Sequence, residues 1–118
     1  MYNLDRYTIR AADPTDFDAI WDLIHTALAG YGLMMDAGTI DRDLLDIQGN
    51  YWDSGGMFYI LMDSDRVIGT VALRREREGT FELCRMYLAE EYRGQGLGRG
   101  LLQFAMDQAK ARGGREVY

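Results

Sequence analysis

From position 93 the chain reads Arg93-Gly94-Gln95-Gly96-Leu97-Gly98-Arg99-Gly100, with glycine at every second position. Glycine has no Cβ, so backbone N–H groups there can close on an anion without steric hindrance. A helix-periodic apolar run begins at Leu97, and its N-terminal amides and positive dipole end would point at the same spot. Arg93 and Arg99 add cationic charge. The chemistry this pattern suits is the binding of a phosphate group; the competing reading is a glycine loop with no ligand. Two other phosphate loops fail on spacing. A dinucleotide fingerprint, G-x-G-x-x-G, would need glycine where Arg99 or Leu101 stands, and the P-loop's Gly-Lys-Ser/Thr is absent.

Two further residue types could do chemistry. Cys84 is the only cysteine and His25 the only histidine. A nucleophilic thiol needs an activating base or a helix N-terminus. His25 falls in the first predicted helix, far along the chain, so Cys84 reads as a small buried hydrophobe and His25 as structural or surface-exposed.

The elements that must hold these residues can be placed from periodicity. Tyr7 to Arg10 is β-prone. Asp13-Pro14-Thr15-Asp16 then starts a helix, with Asp13 as cap and Pro14 in the first turn. Phe17, Ile20, Trp21, Ile24 and Leu28 carry that helix to about Ala29. Gly30, Gly32 and Gly38 bracket a loop, and a shorter helix is expected over about 39–48, with Ile40, Leu44 and Ile47 on its apolar side. Met57 to Met62 and Arg66 to Arg74 form a β-hairpin around Asp63-Ser64-Asp65, and a third strand covers Thr80 to Leu88. The glycine loop leads into a helix with Leu97, Leu101, Leu102, Phe104, Ala105 and Ala109 inward. Gly113-Gly114 ends it, and 115–118 begins another strand. The order is β-α-α-β-β-β-α-β in a single domain over residues 1–118.

Arg93, Gly96 and Gly98 satisfy the pattern [RQ]-x-x-G-x-[GA], and in this element order the chain resembles the GNAT superfamily of N-acetyltransferases. The similarity extends over nearly all of the chain: Glu82 to Tyr92 is similar to the family's fourth strand, and Val67-Ile68-Gly69 to its central hairpin. The resemblance implies an α+β fold, an α/β sandwich with a mixed, mostly antiparallel sheet flanked by helices. It implies acetyl-CoA as acyl donor and direct transfer to a primary amine of a small molecule or peptide. Met86, Tyr87 and Leu88 would offer backbone groups to the pantetheine arm, and Gly94, Gln95, Gly96, Leu97, Gly98 and Arg99 would donate N–H groups to the pyrophosphate, beside Arg93. Glu82, eleven residues before Arg93, matches a glutamate that serves as base in some members. Its apolar strand would desolvate it and raise its pKa, whereas pairing with Arg74 or Arg85 would make it structural. The backbone N–H of Leu88 would hold the thioester carbonyl. Tyr31, Met35 and Asp36 fall where the family builds its acceptor pocket, although core packing explains such residues equally well. The family pattern continues past the fifth strand, so the chain reads as C-terminally incomplete against it. A non-catalytic acyl-CoA-binding or regulatory module, or a homodimer in which a partner completes the subunit, therefore stands beside the enzyme reading.

Composition bounds the remaining classes. Apolar residues make up 47% and charged residues 27% of 118, ordinary for a globular domain. The net charge of -6 is uneven: residues 1–84 hold 7 basic and 15 acidic side chains, and residues 85–118 hold 6 and 4. The basic end coincides with the glycine loop, which suits an anionic cofactor there and a cationic substrate elsewhere. An acidic chain argues against nucleic acid as a partner. No apolar run is long enough for a membrane span, no secretory pattern opens the chain, and the Cys and His counts argue against a structural metal. The cytoplasm is the expected compartment.

Overall fold

The computed structural model describes residues 6–34 and 41–118. Its centre is a five-stranded sheet in sequential order: β1 (Thr8–Ala11), β2 (Met57–Asp63), β3 (Arg66–Arg77), β4 (Thr80–Leu88) and β5 (Glu116–Val117). The first four strands are antiparallel and β5 runs parallel to β4, so the sheet is mixed and mostly antiparallel, as expected. The β2–β3 turn passes through Ser64 at φ 55, and β3 runs three residues beyond the predicted Arg74.

Successive strand residues point to opposite faces of the sheet, and because both faces are covered β2 and β3 carry continuous buried runs. Helix α1 (Phe17–Ala29) lies on one face, where Ile20 and Ile24 pack with Phe58, Ile60 and Ala72. Helix α2 (Leu97–Ala111) covers the other, where Leu97, Leu101, Ala105 and Ala109 pack with Tyr59, Leu61, Val71, Leu73 and Phe81. The spacing of those four helical residues is a strict i, i+4 stripe. Leu102, predicted inward, sits one step off that stripe and is 37% exposed, while Phe104 stays half-buried against Tyr59.

The entry to α1 is built as its sequence suggests. Pro14–Asp16 form one 3-10 turn before the α-helix; the Asp13 carboxylate accepts from the Thr15 N–H, and the Asp16 carboxylate accepts from the Asp13 N–H. Asp16, almost fully buried, also takes a two-armed bond from the Arg10 guanidinium at 2.7 and 2.8 Å, which ties β1 to the helix. Arg10 holds the Asp16 carboxyl below the usual carboxylate range.

The second predicted helix is corrected. Thr39 and Ile40 lie outside the described residues, and the segment after them is a 3-10 turn, Arg42–Asp46, running into a π turn, Gln48–Trp52. Leu44 and Ile47 are buried as expected, but the Asp46 carboxylate takes the Gly49 N–H, and helical pitch is not kept. Among the described residues no helix is long and apolar enough to cross a membrane.

Candidate cofactor and acceptor site

Between Cys84 and Tyr87, strand β4 carries one residue more than β3 can pair with. Ala72 faces Cys84 and Thr70 faces Tyr87, so Arg85 and Met86 together oppose Val71. Such an extra residue is a β-bulge. Arg85 takes the left-handed backbone, φ 50, and its carbonyl accepts from the Thr70 hydroxyl at 2.7 Å.

The bulge decides which backbone groups are free. Before it, the Leu83 N–H points toward β5 and donates to the Tyr118 carbonyl at 2.8 Å. After it, the Ala89 N–H points the other way, to the Ile68 carbonyl at 2.8 Å. Backbone groups alternate along an antiparallel strand, so Tyr87 faces β3 while Met86 and Leu88 face the opposite edge. Without the extra residue the parity would be reversed. The ladder between β4 and β5 covers only Thr80 and Phe81, which leaves the edge at Met86 and Leu88 without a strand among the described residues.

That edge leads into the glycine loop. Glu90–Tyr92 form a single 3-10 turn, and the Arg93 side chain reaches back from the loop, its Nε donating to the Leu88 carbonyl at 3.0 Å. Arg93 therefore tethers loop to strand as well as adding charge. Gly94 at φ 79 and Gly96 at φ 86 are left-handed, which residues with a Cβ adopt only under strain. Gly96 caps α2 and, having no side chain, makes no cap bond to that helix terminus. The N–H groups of Leu97, Gly98 and Arg99 form the first turn and have no partner four residues earlier in the helix. Residues 93–96 and Arg99 are exposed, and a Cβ placed on Gly94 or Gly98 would meet nothing within 4 Å. Open amides at a helix start, with glycine on either side, make a nest for an oxyanion.

A cleft of about 690 Å³ opens beside the same strand end, between α1, the β2–β3 turn and the last residues of β4. Leu23, Thr26, Val67, Leu88 and Arg93 line it, whereas the loop glycines do not. Tyr31 lies at its edge and is 73% exposed, which removes core packing as its role. Met35 and Asp36 lie outside the described residues.

Glu82 points to the α1 face. Its side chain is 34% exposed and its carboxylate lies 3.5 Å from the Arg74 guanidinium, so the deep apolar burial expected of it is absent. Arg74, not Arg85, is its partner. Cys84, on the same face, is half-buried; burial pushes its thiol up, and the Tyr51 hydroxyl lies 4.0 Å away. His25 is exposed on α1.

One group of side chains has no signature in the sequence. The Arg85 guanidinium bonds Asp43 through Nε at 3.1 Å and Nη2 at 2.6 Å, and lies 2.9 Å from Asp41 through Nη1. The Tyr51 hydroxyl donates to Asp43 as well. Burial would raise Asp43, but the bonds from Arg85 and Tyr51 outweigh it and hold the carboxyl below its ordinary range. Burial and the Asp43 carboxylate push the Tyr51 phenol upward. Forty-two residues separate Asp43 from Arg85. No local pattern announces such a pair; the sole hint is an arginine inside an apolar strand.

A mixed sheet with a bulged fourth strand, followed by a glycine loop and a helix, is an α/β sandwich, and the comparisons with known proteins give its family. The family model for the acetyltransferase (GNAT) family matches residues 19–118, and the chain belongs to that family. Its sequence is 30% identical to an uncharacterised N-acetyltransferase of Escherichia coli, YjgM, over 87% of this chain and 65% of that protein. It is 39% identical to the N-acetylaspartate synthetase of Rattus norvegicus over 57% of this chain and 24% of that one. The chain thus spans less than two thirds of these relatives. Among solved structures, an acetyltransferase from Streptococcus agalactiae superimposes with a TM-score of 0.83 at 24% identity, covering 92% of this chain and 69% of that one. YncA of Salmonella typhimurium, solved with its cofactor acetyl-CoA, gives 0.73 at 25% identity, covering 92% and 66%.

Proposed function

We propose that the chain transfers an acetyl group from acetyl-CoA directly to a primary amine of a small molecule or peptide. The observation that carries the reading is the continuity between the Met86 and Leu88 backbone groups, which the bulge turns away from β3, and the glycine loop at 94–99. An extended arm laid along the edge would hydrogen-bond Met86 and Leu88 as an added strand does, with its diphosphate end in the nest. The YncA structure, which holds acetyl-CoA, supports this choice of donor.

When bound, acetyl-CoA supplies the activated acyl group. The protein must then remove a proton from the ammonium and stabilise charge developing on the carbonyl oxygen, while the C–S bond breaks and CoA leaves as its thiol with the second proton released by the amine nitrogen. We assign the second task to the Leu88 N–H, because it points to the open edge. We assign the first to Glu82, whose carboxylate is solvent-accessible enough to relay a proton through water and is held in place by Arg74. Tyr31, at the cleft edge, would contact the acceptor, and the acidic side chains of the first 84 residues favour a cationic one.

A thiol-release assay with acetyl-CoA and a panel of amines tests the reading. Turnover with at least one amine is expected, and Glu82→Gln should lower the rate near neutral pH while leaving CoA binding unchanged. A Gln variant with full activity across pH would remove Glu82 from the mechanism. Thermal stabilisation by CoA with no thiol release for any amine would point instead to an acyl-CoA-binding module.

A further inference from the structure

The bulge at Arg85 sets which backbone groups of β4 face the cofactor edge, so whatever holds the bulge governs the site. Arginine does not adopt a left-handed backbone unaided. Two sets of contacts over-determine it here. The Thr70 hydroxyl fixes the Arg85 carbonyl at 2.7 Å, and Thr70 is fully buried, so its bond has no competing water. The guanidinium is drawn to the α1 face by two carboxylates, Asp43 at 2.6 Å and Asp41 at 2.9 Å. Cys84 and Arg85, neighbours in sequence, consequently share one face, which a regular strand forbids.

We propose that Arg85, clamped by Asp41 and Asp43 and latched by Thr70, is a positioning residue that locks the β4 bulge and thereby aims the Met86 and Leu88 backbone groups at the pantetheine arm. The inference rests on the acetyl-CoA reading given above. It extends that reading to side chains on the α1 face of the sheet. The clamp also joins the 41–52 segment to β4, since Asp41 and Asp43 start that segment and Tyr51, bonded to Asp43, closes it.

The test separates arm from diphosphate. CoA and its phosphoadenosine diphosphate half, which lacks the pantetheine arm, are titrated into the protein by calorimetry. The ratio of the two affinities measures recognition along β4. Arg85→Met combined with Asp41→Asn and Asp43→Asn removes the clamp and neutralises both of its carboxylates. Thr70→Val removes the latch alone and keeps the shape. Each is expected to shrink the affinity ratio by about tenfold or more, which is about 1.4 kcal/mol, while the half-ligand binds within about twofold of wild type. Arg85→Lys, which keeps charge but lacks the fork, should fall between. Variants that keep the wild-type ratio overturn the proposal, as do variants in which both affinities fall together, the mark of a merely structural role. If the triple variant does not fold, Thr70→Val decides the matter by the same ratio. Wild-type protein that binds neither ligand refutes the acetyl-CoA reading and the clamp with it; wild type that binds both, beside unchanged variants, refutes the clamp alone.

Discussion

Replacing Gly98 with glutamate should make the free protein more stable and the bound state weaker. Gly98 occupies the second position of α2, and a Cβ there meets nothing within 4 Å. Its φ is not among the left-handed ones, so a side chain adds no backbone strain. Glycine in a helix costs up to about 1 kcal/mol against ordinary helix formers. A carboxylate in the first turn gains roughly 0.3–1 kcal/mol from the dipole. With the propensity gain discounted because the position lies in the first turn, the sum is about 1–1.5 kcal/mol. For a domain of this size that raises Tm by roughly 4–6 °C. The same carboxylate stands where the diphosphate is proposed to sit. Two unit charges about 4 Å apart near a surface repel by about 4 kcal/mol, and screening reduces this to about half, or roughly 30-fold in affinity. Calorimetry of the free protein gives the first quantity and CoA titration the second. Gly98→Ala is the control, since alanine satisfies the GNAT pattern and should stabilise without loss of binding. A glutamate variant that is less stable than wild type would mean that the fold requires this glycine. One that binds CoA unchanged would mean that the ligand is not there.

Other perturbations probe the frame around the site. Leu101→Ala, at a fully buried position between α2 and the sheet, should cost about 2–5 kcal/mol in urea unfolding; a loss below about 1 kcal/mol would contradict the packing described. Asp16 and Asp43 both have lowered carboxyl pKa values in the folded chain. Their stabilisation is therefore complete above the unfolded value of about 3.9 and disappears as pH falls through the lower folded values. Acid titration of stability should steepen below about pH 4, and Asp16→Asn should flatten that limb; an unchanged slope would remove the Arg10–Asp16 pair from the acid response. Gly56→Ala would set a Cβ 2.3 Å from the Leu73 carbonyl oxygen and should destabilise the start of β2, measured as a lower Tm.

The features legible in the sequence are local ones. Asp13-Pro14 marks the entry to α1, Asp63-Ser64-Asp65 the hairpin turn, and Gly113 the exit from α2, each because one residue type satisfies one backbone demand. The glycine nest is legible for the same reason. The bulge is not. It depends on a left-handed arginine that no propensity favours, held by carboxylates 42 and 44 residues away and by a threonine on the neighbouring strand. The 39–48 segment reads as an α-helix because Ile40, Leu44 and Ile47 fall at helical spacing, yet the spacing of three between Leu44 and Ile47 suits the 3-10 turn that the chain adopts at Arg42–Asp46 as well. Glu82 falls on β4 in sequence and structure alike, yet strand alternation does not reveal that Arg74 on the paired strand faces it.

The nest is tested most directly by amide NMR of the isotopically labelled protein titrated with CoA to saturation. The N–H resonances of Gly94, Gln95, Gly96, Leu97, Gly98 and Arg99 should move together, with a shared midpoint, and those of Met86 and Leu88 should track the same curve. Resonances of residues 94–99 that stay fixed while CoA is bound would place the diphosphate elsewhere and contradict the site.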